Sequence, residues 1–195
     1  MPDGAGGDLH NPGMSQLYRL TAGAVWLAAI AAGAQTAGPT QPNLLPEAAK
    51  AVGVQKCLAA VTRLSALAVA GSRNHDVLVD WDRARPDDGA FFSLLGINYG
   101  GQSVAATITT IPQQDGCTLA AERISVAPFT CQSIAQVELG GYRSTSLLPS
   151  FTVYTRPDDP GASVSLIDSP PGCLVIRRHV QYAWKEPPIT APRSR

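Results

Sequence analysis

The order of apolar and polar positions divides the chain into one helical stretch followed by a series of strand-like ones. Between Pro46 and Gly71 the residues Val54, Cys57, Leu58, Val61, Leu64 and Ala68 recur at three- and four-residue steps, with Gln55, Lys56, Thr62 and Arg63 on the other side. That period predicts one long amphipathic helix with a single buried stripe. Pro46 and Glu47 suit its first turn, where a missing N–H costs nothing and a carboxylate meets the positive end of the helix dipole. Gly71 supplies the stop. Cys57 lies on the stripe, so its sulfur is expected to face whatever the helix packs upon.

After Gly71 the period changes to two: Val77, Val79 and Trp81 alternate with Asp76, Leu78, Asp80 and Asp82, as a half-buried strand requires. FFSLLGINY and QSVAATITTI flank the glycine pair Gly100-Gly101, and Asp115-Gly116 leads into CTLAAERISVA, two reversal signals. Cys131 to Leu139 reads as a short helix with Thr130 as N-cap and Gly140 as stop. The last third holds SFTVYT, SVSLID and CLVIRRHVQYAW, separated by DDPG and SPPG. Strands joined by turns this tight are antiparallel, because parallel neighbours need long crossovers. The expected fold is therefore α+β, with one long N-terminal helix packed on an antiparallel meander of six or seven strands and a second, short helix. In outline this is similar to cystatin-like and other helix-on-sheet domains. The Q-x-V-x-G motif of inhibitory cystatins is absent, so the likeness is architectural and transfers no site. No internal repeat stands out.

Ahead of this domain, Leu20 to Ala34 (LTAGAVWLAAIAAGA) is an apolar run that follows Arg19 and ends in Ala32-Gly33-Ala34. A basic flank, an apolar core and an A-x-A end are the layout of a secretory leader, and a run of about 15 residues is short for a membrane span. Residues 1–34 are therefore expected to be an extension plus a cleaved signal peptide. Met14 is the better start, since the first thirteen residues carry Asp3 and Asp8 and no Lys or Arg. Residues 35–43 read as a flexible linker, 44–185 as a single domain, and 186–195 as a disordered, Pro-rich tail. No Cys directly follows the apolar run to carry a lipid, the first being Cys57, so no stable membrane anchor is expected after cleavage.

Composition narrows the partners. The 15 Lys and Arg balance the 15 Asp and Glu, which predicts no long-range attraction to nucleic acid or anionic membrane. Arg177 and Arg178 fall in a strand-like segment and so point to opposite faces rather than forming a binding stripe. The four cysteines, Cys57, Cys117, Cys131 and Cys173, form an even set without a C-x-x-C pair, as expected of two disulfides in an oxidising compartment. Three pairings are possible. The one favoured joins Cys117 to Cys131 across a short loop and Cys57 to Cys173 across a long one.

Several residues are of types that carry chemistry. His75, Asp76, Asp80 and Asp82 could form a cation-binding edge, but Leu78 shares the acidic face and Ala84 stands where a calcium loop needs its third ligand. Carboxylates resisting edge pairing explain the pattern better. His75 and His179 are the histidines available as catalytic bases beyond the leader, yet no G-x-S-x-G elbow accompanies them; GGQSVA has Ala105 in place of the second glycine. GINYGGQS lies between strands rather than ahead of a helix, so it is no phosphate loop. Trp81, Tyr99, Tyr142, Tyr154, Tyr182 and Trp184 are expected mainly in the core. No catalytic, cofactor or metal residue is assigned. The reading is an exported, periplasmic or extracellular, non-catalytic binding or accessory protein of an unidentified protein or envelope component. A small secreted hydrolase with a dispersed Ser/His/acid site is the alternative.

Overall fold

The computed structural model describes residues 41–186. The leader, most of the linker and nearly all of the tail lie outside the described residues. The chain runs α1 (Leu44–Ala51), α2 (Leu58–Val69), β1 (Asn74–Trp81), β2 (Phe91–Asn98), β3 (Ser103–Gln113), β4 (Gly116–Ala127), α3 (Cys131–Glu138), β5 (Arg143–Leu148), β6 (Phe151–Arg156), β7 (Asp159–Ser169) and β8 (Gly172–Trp184). This is an α+β fold with an antiparallel sheet of eight strands and three helices.

The single long helix is corrected to two. Gly53 takes a left-handed φ of +96°, a conformation that suits glycine and ends the helix. Asp87 then holds the break open, its Oδ1 accepting from the N–H groups of Gln55 and Lys56 at 2.7 Å each. The first helix starts from a residue assigned to the linker: the Asn43 side chain caps α1 by accepting from Leu45 N–H. Gln41 reaches further still, pairing with the backbone of His75 in β1 through both ends of its amide. Thr130 caps α3 as expected, accepting from Ser133 N–H at 3.2 Å.

The sheet is not one meander, and it departs from the cystatin outline. Its order is β1-β2-β3-β4-β8-β7-β6-β5. Two four-stranded meanders meet along an antiparallel β4–β8 seam, with α3 carrying the chain from the end of β4 to the far edge. The extra strand is β5, whose six residues are all exposed. A strand with no buried side has no apolar alternation to betray it.

The two halves share a plan that no run of identical residues announces. In each, the helix that directly precedes the strands carries a cysteine at its start, Cys57 as the N-cap of α2 and Cys131 as the first residue of α3. Each closes with a strand whose second residue is a cysteine, Cys117 in β4 and Cys173 in β8. The closing hairpins even share a register: Gln113 pairs with Gly116 and Ser169 with Gly172, leaving two turn residues in each. The bridges accordingly run Cys57–Cys117 and Cys131–Cys173, with Cα separations of 5.9 and 5.0 Å. The pairing favoured from sequence is overturned. Cys117 begins β4 and Cys131 follows its far end, so a strand rising roughly 3.4 Å per residue carries them about 30 Å apart, whereas a bridge needs Cα atoms within about 7 Å.

Both halves present their helices on the same face of the sheet. Leu45, Ala49 and Val61 pack with Phe91, Leu95, Ile97, Val104 and Ile108 under α1 and α2. Ile134, Leu139, Val164, Leu166 and Val175 form a second core under α3. Glycine opens both central strands for a steric reason. A Cβ on Gly116 would lie 2.3 Å from the Trp184 carbonyl oxygen, and one on Gly172 equally close to that of Ala127. Gly172→Ala must therefore push the seam apart and is expected to cost about 1–3 kcal/mol, the usual range for overpacking. Urea melts would show this as a lower midpoint at constant slope; an unchanged midpoint would mean that the seam yields freely.

Candidate functional site

Among the described residues the candidate acids and histidines form no hydrogen-bonded cluster, although His75, Asp76 and Ser103 border one shallow pocket. His75 turns to the helix side, buried, with Nε2 accepting from Leu44 N–H at 3.3 Å. Its Nδ1 has no partner among the described residues. Asp76 caps its own strand by accepting from Val77 N–H, and Asp82 closes the following turn by accepting from Ala84 N–H at 2.9 Å. That backbone bond holds the Asp82 carboxyl below its ordinary range. Among the described residues no three of His, Cys, Asp and Glu are grouped to hold a metal.

His179 lies in β8 opposite Ala121, exposed, and neither histidine hydrogen-bonds a serine or a carboxylate among the described residues. The neighbouring arginines point apart as their alternation requires: Arg177 pairs with Glu138 of α3, and Arg178 with Glu122 across the seam on the opposite face, 3.3 Å away. Of the six aromatics, Trp81, Tyr99, Tyr142, Tyr154 and Trp184 pack against the cores. Tyr182 stands out in solvent. The remaining shifted groups are the exposed pairs Lys56–Asp88 and Arg156–Asp158; the hydrogen bond between Lys56 and Asp88 raises the ammonium and lowers the carboxyl.

What stands out is the face of the sheet that carries no helix. Strand register places Val126 beside Leu174, Leu174 beside Ile167, Ile167 beside Phe151, and Phe151 beside Leu148. One apolar row thus crosses five neighbouring strands, a width of about 19 Å at the usual strand spacing. A second row, Ile124, Ile176, Ser165 and Val153, runs next to it. Val126 and Leu148 are each 59 % exposed. At the other edge Leu78, Phe92 and Leu94 make a smaller patch, and the Glu122–Arg178 pair lies between the two.

No family model, curated protein or solved structure matches this chain.

No single strand displays this row, because it exists only once β4, β8, β7, β6 and β5 are placed side by side. A signal was nevertheless present. Leu174-Val175-Ile176 and Phe91-Phe92 are consecutive apolar residues inside strands. Since neighbours face opposite sides, such pairs mark strands with something apolar to cover on both faces.

Proposed function

We propose that this is an exported, non-catalytic binding protein, acting in the periplasm or outside the cell, whose helix-free sheet face docks on an apolar sheet surface of a partner protein. The five-strand row from Val126 to Leu148 carries the reading. A twisted sheet with aliphatic residues on a free face is complementary to another sheet, as in the facing layers of sandwich folds. A contiguous exposed apolar patch of this kind marks interaction sites on proteins in water. The row is rimmed by polar groups, Glu122 and Arg178 among them, as interface cores are. Two disulfides fit an oxidising compartment, and no helix among the described residues is long and apolar enough to cross a membrane. The leader-like run from Leu20 to Ala34 supplies the route. That neither His75 nor His179 hydrogen-bonds a serine or a carboxylate among the described residues supports a binder over a hydrolase, although His75 borders a shallow pocket with Asp76 and Ser103.

The test is capture from envelope extract with tagged full-length protein, the wild type beside the double variant Val126→Asp, Leu148→Asp and the remote control Arg63→Gln. Both target side chains are exposed, so the double variant should keep the wild-type melting temperature. The expected result is a stoichiometric partner, cross-linked to β4–β8, that the double variant loses and the control keeps. A partner retained by the double variant would remove the face from the mechanism. Hydrolysis of ester, peptide or glycan substrates that disappears in His179→Ala would overturn the non-catalytic reading.

A further inference from the structure

On the helix side, the β4–β8 seam is the floor of an open cleft beside α2, about 260 Å³ in volume. Its floor carries two facing arginines. Arg123 of β4 and Arg177 of β8 are directly opposite each other in register and share this face. Like charges at opposed positions destabilise a strand pair. Glu138 of α3 neutralises Arg177, but Arg123 has no carboxylate partner among the described residues. Instead its guanidinium is stacked 4.8 Å over the Tyr99 ring, with an N–H directed to the phenol oxygen at 3.4 Å. Tyr99 is itself fixed, donating to the Ala68 carbonyl of α2 at 2.5 Å. His179 follows Arg177 by two residues on the same face and also lines the cleft. The Glu122 and Arg178 side chains, by contrast, turn to the opposite face and pair with each other.

Thr107, Glu122 and Arg178 also border the cleft, but strand register turns their side chains to the opposite face, and the other side chains on this face are apolar. Leu64, Leu67 and Ala68 of α2 form its wall, and Ile108 and Ala121 the adjoining floor. Leu67 is 68 % exposed. A held, unneutralised guanidinium beside an aliphatic wall is complementary to one chemistry, an anionic head joined to an apolar chain. We propose that this cleft binds a single-chain anionic amphiphile, a medium-chain carboxylate or phosphate monoester. Its head sits on Arg123 and the free edge of Arg177, and its chain lies along Leu64 and Leu67. Charge-assisted hydrogen bonds from arginine secure the head, and removal of chain methylenes from water secures the tail. The site is independent of the helix-free face, so either proposal can fail without the other.

Titration calorimetry on the full chain would test this with decanoate, decyl phosphate, decanol and inorganic phosphate. The expected result is saturable binding of one or both decyl anions at one site. Decanol and inorganic phosphate should bind at least about ten-fold more weakly, since each lacks one half of the recognition. Decanoate binding without decyl phosphate would identify a carboxylate site, and the reverse a phosphoryl site. Arg123→Gln and Leu67→Asn, both at exposed positions, should each weaken binding about ten-fold or more with melting temperatures kept, while Arg143→Gln on β5 should change nothing. Absence of binding by both anions, equal binding of decanol, or full affinity in Arg123→Gln would each overturn the proposal.

Discussion

Replacing Cys57 by Ser should lower the stability of the folded protein by about 2–5 kcal/mol, and replacing Cys131 by Ser should do the same. The bridges span sequence separations of 60 and 42 residues. In the chain-entropy model, loops of those lengths correspond to roughly 4 kcal/mol each. Both lie in packed surroundings: Cys57 and Cys117 are buried beside Ala60 and Leu119, and Cys173 beneath α3. Loss of a bridge therefore also disturbs the contact between a helix and its half of the sheet. Because the bridges occupy separate halves, their effects should add, and the sum approaches the whole stability of a typical domain. Denaturant melts of the single and double variants would check this. Peptide mapping of the unreduced protein provides the sharper control, since a fragment joining Cys117 to Cys131 would refute the connectivity outright.

Phe91→Ala is expected to cost about 3–5 kcal/mol, the range for truncating a fully enclosed aromatic. Phe91 is 1 % exposed and opens β2 between Trp81 and Thr110 of the adjacent strands, facing the layer formed by α1 and α2. Its neighbour Phe92 is 49 % exposed on the opposite face, so Phe92→Ala should cost a fraction of that. The pair tests register as well as packing, because a slip of one residue would exchange the two faces of the strand. Similar losses from both substitutions would contradict the β1–β2–β3 pairing.

Local signals written into the chain were strong wherever one residue type serves one local task. Thr130 as a cap, Gly71 after α2, the strand alternation of Val77, Val79 and Trp81, and the reversals at Gly100 and Asp115 all depend on a few adjacent residues. What the sequence withheld is non-local. The break at Gly53 is held open by Asp87, which lies more than thirty positions away. The return of β8 to pair with β4 follows from where α3 delivers the chain. β5 carried no pattern because none of its residues is buried. The candidate surfaces share this origin: the apolar row and the Arg123–Arg177 pair each draw on strands distant in sequence. Neither is a motif along the chain.

The connectivity also bears on how the molecule matures. Each cysteine is joined to the next one along the chain, first to second and third to fourth. A chain that emerges N-terminus first can close the Cys57–Cys117 bridge before Cys131 has appeared, and then close the second without reopening the first. An oxidant that simply joins thiols in order of arrival makes the native set, with no reshuffling by an isomerase.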